Sequence, residues 1–323
     1  MSSSCVLPPE LLLIIFHVAC DDDGTTARSL ALVSRSFYYL IIPLIYRVLA
    51  LNGLDNLSTL LERFEREPHF ALLVEHVLVA SSGPGPDCLA FENALHTLWR
   101  FVAPTVKSLA LSVRSGDDGV QKVFQTIFDT PFPCLVDLTL CGEHPIPSSS
   151  SLTLPALRHF HTAGLTKRNP ASCFAPLTLA CPLLSHIRVS MASECNITHA
   201  ISAALGLPGS RSDSEQMSLD PVPLPGDAER EGTYVPFPML PSGLVSLVVK
   251  PAAPPMLLFA GNTSQFYGQY LKQLEGLVPA CPRGKMKLLP AFKRVMWDVE
   301  DYNTTQMKRD WIDTVRGGWG AWV

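Results

Sequence analysis

Proline recurs in this chain at one fixed distance ahead of a short pattern, apolar-x-x-apolar-x-apolar. The pattern appears as Val74-Val77-Val79, Val106-Leu109-Leu111, Leu135-Leu138-Leu140, Leu157-Phe160 ending on Thr162, Leu184-Ile187-Val189, Leu244-Leu247-Val249 and Phe292-Val295-Trp297. Pro104, Pro133, Pro155, Pro182 and Pro290 stand two residues before its first position, and Pro241 stands three before. Hydrophobic residues make up 47% of the chain, so apolar triplets arise by chance, but a shared proline register does not. Proline has no N–H to give to a ladder and belongs at the entry of a strand. The last two apolar positions lie two residues apart, which puts both on one face of that strand. Between the strands, Val120, Val123, Phe124 and Ile127, then Ile197, Ile201 and Leu205, then Phe266, Tyr270, Leu274 and Leu277 form helical stripes. Strand and helix alternate, which predicts an α/β chain with parallel strands.

The arrangement resembles a degenerate leucine-rich-repeat array over residues 72–316. That resemblance implies an irregular solenoid, with parallel strands lining one face and helices on the other. The spacing is uneven, and the asparagine of that family's repeat is not reproduced cleanly. Residues alternating with the buried ones would face the open side of the sheet. One such row runs Ser108, Asp137, His159, His186, Ser246, Arg294, and its neighbour Ala110, Thr139, His161, Arg188, Val248, Met296. Asp137, Thr139, His159, His161, His186, Arg188 and Arg294 are the candidate residues for gripping a target protein by hydrogen bonds. Gly206–Pro241 is rich in Gly, Pro, Ser and acidic residues and reads as a flexible insertion. Met307, Trp311, Ile312 and Val315 give the last segment a helical face, read as a cap over the final repeat.

The first fifty residues read differently. Pro8 and Pro9 preset a first helical turn, Glu10 suits the positive helix N-terminus, and Leu11 to Val18 supply the apolar body. Asp21-Asp22-Asp23-Gly24 ends that helix, and a second is expected from Thr25 or Thr26, carrying Leu30 and Val33 inward. A third is expected around Phe37, Leu40 and Ile41, before Pro43. Three short helices without a private core want a partner. Leu7, Pro8, Glu10, Leu11, Ile14 and Ile15, with Leu32, Val33, Ser34, Arg35 and Phe37 following and Pro43 and Tyr46 near the end, resemble an F-box. The resemblance implies docking on the Skp-type adaptor of a cullin-RING ubiquitin ligase. Leu7, Pro8, Leu11, Ile14, Ile15, Leu32, Val33 and Phe37 would make the contact, and the repeat domain would select the protein to be ubiquitinated. The expected organisation is a helical module over 1–50, a linker helix within 51–71 bearing Leu57, Leu60, Leu61 and Phe64, and the repeat domain over 72–323.

Other functions find little footing. A net charge of −4 offers no broad basic field for nucleic acid. Nine cysteines, an odd number with no C-x-x-C pair, fit reduced thiols and a cytoplasmic or nuclear protein. No apolar run reaches the length of a membrane span, and Leu11–Cys20 lacks the flanks of a signal peptide. The motifs of phosphate-binding, hydrolase and zinc-protease sites are absent, so neither an enzyme nor a cofactor nor a metal is expected. His159 and His161 share a strand face, but read as sheet residues rather than half a metal site. Three alternatives stay open. The N-terminal helices would form a cap, burying Leu11, Ile15 and Val33 against the array; the array would be an interaction scaffold without a ligase role; or the chain would be an uncharacterised enzyme or a secreted glycoprotein, its sequons being at Asn56, Asn196, Asn262 and Asn303.

Overall fold

The computed structural model describes residues 7–81, 88–113, 119–142, 154–164, 177, 181–192, 197–198, 201–202, 243–254, 261–281, 284–295, 298–299 and 301–322. The insertion expected at 206–241 lies outside them. The fold is α/β, built on eight parallel strands hydrogen-bonded in chain order. These are β1 (Val48–Asn52), β2 (His76–Ser81), β3 (Ser108–Val113), β4 (Asp137–Cys141), β5 (His159–Ala163), β6 (His186–Ala192), β7 (Ser246–Pro251) and β8 (Met286–Leu288).

The expected register holds from β2 to β7. Val77, Leu109, Leu138, Phe160, Ile187 and Leu247 lie side by side, and so do Val79, Leu111, Leu140, Thr162, Val189 and Val249. The apolar residues of both rows are buried in the main core, against helices α4 (Gly53–Arg66), α5 (Cys88–Val102), α6 (Gly119–Phe128) and α7 (Gly261–Ala280). The first position of each pattern, from Val74 to Leu244, is buried there too, below the strand entry. The helices present their own stripes: Leu57, Leu61 and Phe64 from α4, Val123, Phe124 and Ile127 from α6, Tyr270 and Leu274 from α7. Within α7, Phe266 departs from its stripe and is exposed.

Three expectations need correction. The pattern at Phe292-Val295 is not a rung of the sheet. Arg294–Val295 (β9) pairs antiparallel with Asp298–Val299 (β10), and the last parallel strand is instead β8. Arg294 therefore leaves the target-binding row, and its Nε donates to the Pro254 carbonyl at 2.6 Å. Pro43 does not end a helix: α3 (Arg35–Arg47) runs through it, held by Ile41 and Leu44 packing into the local core on either side. The first parallel strand was also missed. β1 follows α3 without a break, so residue 50 falls inside it.

The N-terminal helices, α1 (Pro9–Ala19), α2 (Thr25–Ala31) and α3, close around a small core of their own: Phe16, Cys20, Ala27, Ile41 and Leu44. Phe37 packs edge-on against Phe16, ring centres 5.0 Å apart. Capping falls to the acidic turn rather than to Thr25 or Thr26. Asp22 accepts from the Gly24 and Thr26 amides at 2.8 and 3.0 Å, and Asp23 from the Thr25 amide at 3.3 Å. Ser34 caps α3 by accepting from the Phe37 amide at 3.1 Å.

The last helix, α8 (Thr304–Val315), does not sit on the final rung. It lies across the sheet face opposite α4–α7, over β2, β3 and β4. There Met307, Trp311 and the preceding Tyr302 form a second core with Val48, Leu78, Ala80, Ala110, Cys141 and Ala163.

Candidate functional site

Two surfaces collect the candidate residues. The first is α1 and the turn after α2. Leu12 and Phe16 turn into the module's core, while Leu11, Ile14, Ile15 and Val18, at i, i+3, i+4 and i+7, form a second stripe 46 to 74% exposed. Leu7 and Pro8 before it are exposed as well. In the α2–α3 turn Leu32 is 88% and Val33 64% exposed, so Val33 points outward rather than inward as expected. Tyr39 on α3 is exposed also. Phe37 is half-buried and supports the face from behind through Phe16. A helix apolar all round normally buries its whole surface; this one buries a single stripe. Because Leu11, Ile15 and Val33 are exposed, the module is not a cap that buries them against the sheet.

The second surface is the sheet face that was expected to be open. The register brings Ser108, Asp137, His159, His186 and Ser246 into one row and Ala110, Thr139, His161, Arg188 and Val248 into the next, as expected. Their exposure is otherwise. His161 and Arg188 are buried, Asp137, Thr139, His159 and His186 are only partly exposed, and the cover is residues 301–322 of the same chain. Tyr302 stacks edge-on against His161 at 4.5 Å. Trp322 lies 5.5 Å from His159 and 5.9 Å from His186, and Trp319 is 6.1 Å from His186. A small crevice between Asp137, Thr139, His159, Asp310, Trp311 and Trp322 marks where sheet and cover fail to close completely.

Polar groups on this face form a partial network. Asp137 Oδ1 is 2.5 Å from His159 Nδ1. His161 Nε2 is 3.0 Å from Ser190 Oγ, which also accepts from Arg188 Nε at 3.2 Å. From the cover, Gln306 donates to Asp310 at 2.9 Å, and the Cys141 thiol donates to the Tyr302 carbonyl at 3.2 Å. Burial, with Arg188 adding to it, holds His161 well below the ordinary histidine range, so it is neutral. Burial raises the Tyr302 hydroxyl far above the usual phenol value, and raises the Asp310 carboxyl despite Tyr302 and Arg188 beside it. On the same face His76 is pushed down to about 4, by burial first and against the pull of Glu75.

The cover is fastened to the N-terminal module. Lys308 Nζ reaches Asp23 Oδ2 at 2.5 Å, and Arg316 Nε donates to the Asp21 carbonyl at 2.6 Å. Although burial pushes the Asp23 carboxyl up, hydrogen bonds from Lys308 and Thr25 hold it at about 2. Asp21 also pairs with Arg47 at 2.6 Å. Sequence reasoning missed this clasp and the cover itself. The stripe of Met307, Trp311, Ile312 and Val315 was legible, but a stripe does not say what it packs on.

No protein-family model matches the chain, and no curated protein matches it in sequence. Among the described residues no group of three or more His, Cys, Asp and Glu is placed to hold a metal, and no helix is long and apolar enough to cross a membrane.

Proposed function

We propose that this protein is a substrate receptor of a Skp-cullin-F-box type ubiquitin ligase, acting in the cytoplasm or nucleus without catalysing a reaction itself. The N-terminal helices dock the Skp-type adaptor and through it the cullin, and the repeat-like domain recruits a target protein. The observation that carries this reading is the exposed stripe of Leu11, Ile14, Ile15 and Val18, beside Leu32 and Val33, on a module whose own core is already complete. Leu11, Ile14, Ile15, Leu32 and Val33 are among the positions at which the sequence resembles an F-box. Burying one such Leu, Ile or Val in a partner's groove is worth about 1.5–3 kcal/mol, and a monomer gains nothing by leaving several bare. The parallel strands in chain order, with helices behind them, support a leucine-rich-repeat-like array for the remainder.

The test is binding of the purified chain to a Skp-type adaptor, wild type against Leu11→Asp/Val33→Asp. Both side chains are exposed, so the variant is expected to fold as wild type by circular dichroism while losing adaptor binding by more than about tenfold. A folded wild type that fails to bind overturns the reading.

A further inference from the structure

The face beneath residues 301–322 is an unusual floor for a permanent helix. On the other side of the sheet the rows against α4–α7 are almost entirely Val, Leu, Ile and Phe. Beneath the cover polar and apolar residues are mixed. β1 to β3 present Val48, Ala50, Leu78, Ala80 and Ala110 together with His76, Ser108 and Ser112, and β4 to β6 present Asp137, Thr139, His159, His161, Arg188 and Ser190 together with Cys141 and Ala163. The cover is mixed too: Met307, Trp311 and Tyr302 join the apolar cluster, Trp311 also borders Ser108 and Asp137, Tyr302 stacks on His161, and Trp322 lies against His159. The match is incomplete. Ser108 Oγ and His161 Nδ1 on the floor and Trp311 Nε1 on the cover are buried without a hydrogen-bond partner among the described residues. Such groups make an interface a poor competitor against a ligand that pairs them. The cover adds no strand to the parallel sheet, whose ladder ends at β8, so lifting it breaks none of that ladder.

We infer that residues 301–322 occupy, in cis, the face on which this protein docks a helical segment of another protein, and that the partner binds by displacing them. The occupant defines the partner's chemistry. It is a helix carrying a tryptophan and a neighbouring carboxylate on one face, with an aromatic residue before the helix over His161 and another after it against His159 and His186. The clasp of Lys308 and Arg316 on Asp23 and Asp21 holds the cover shut, and ties it to the module that presents the exposed α1 stripe. The inference deepens the receptor reading by naming what the target face takes. Its test contains no adaptor, so either can fail alone.

The probe is a fluorescent peptide of residues 301–322, titrated by anisotropy into the full chain. Wild type keeps its own segment at a high effective concentration over the face and excludes the peptide. Full-length Met307→Ala/Trp311→Ala loosens the cover without altering the floor, and is expected to bind the peptide at least about tenfold more tightly than wild type. Trp311→Ala or Asp310→Ala in the peptide should abolish that gain. A folded variant that does not take the peptide overturns the inference. Should the variant unfold, hydrogen exchange on wild type decides. Amides of α8 opening well before those of β3 to β5 support a displaceable cover, and exchange of both at one common rate overturns it.

Discussion

Gly142 follows β4 with φ +129°, and a Cβ built there would stand 2.2 Å from the Val113 carbonyl oxygen. Both the torsion and the contact exclude a side chain. Gly142→Ala should therefore lower stability by about 1–3 kcal/mol, read as a lower urea midpoint at unchanged slope. An unchanged midpoint would mean that the backbone after β4 moves freely away from the Val113 carbonyl. Elsewhere a single buried hydrogen bond matters. Trp99 Nε1 donates to Thr126 Oγ1 at 2.9 Å inside the main core, and Thr126→Val would strand that N–H at about 1–3 kcal/mol. Neither effect was legible in the sequence, because each depends on what another element places opposite the residue.

Helix α1 has two apolar stripes with opposite duties. Phe16 is buried against Phe37, Ile41 and Leu44, whereas Leu11, five residues earlier, is exposed. Phe16→Ala is expected to destabilise the module by about 3–5 kcal/mol, seen as loss of helical signal at a lower temperature. Leu11→Asp alone should leave that signal where it is. Equal effects of the two would mean that the stripe at Leu11 is covered by the chain itself. Among the helices, α5 was overlooked although Phe91, Leu95, Leu98, Trp99 and Val102 recur at 4-3-1-3 spacing and are all buried. The signal is present in the sequence, and Pro84, Pro86 and Asp87 stand directly before it.

Across the molecule, two neutral histidines on one sheet face, His76 and His161, tie stability to pH. Unfolded histidine titrates near 6.5, whereas His76 titrates at about 4 and His161 well below its ordinary value. Below pH 6.5 the unfolded chain takes up protons that the folded chain refuses, so each group weakens the fold by up to about 1.4 kcal/mol per pH unit. For His76 that loss ends near pH 4, where the folded state is protonated too. Asp310, its carboxyl raised by burial, works in the opposite direction at the acid end. The Lys308–Asp23 clasp, with Asp23 at about 2, holds throughout this range and fails only on approach to that value. The urea midpoint should fall from pH 7 to pH 5, and less steeply in His76→Gln. Parallel slopes for both proteins would show that His76 is protonated in the fold.

Periodicity, prolines and turn residues were enough to determine the alternation of strand and helix, the register of six parallel strands and the apolar stripes behind them. These rest on local spacing, and every residue in a stripe faces the same layer. The F-box resemblance also picked out Leu7, Leu11, Ile14, Ile15 and Leu32, which are exposed, whereas Val33, expected to turn inward, is exposed and the three helices do close a core of their own. What covers the second sheet face was decided by tertiary structure alone. Met307, Trp311 and Tyr302 would suit an end cap as readily as the floor they occupy, and the choice rests on their fit to Leu78, Ala110 and His161 and on the reach of Lys308 and Arg316 to the acidic turn. The two bonds of that reach join residues 285 and 295 positions apart in the chain, a distance over which no local pattern carries information.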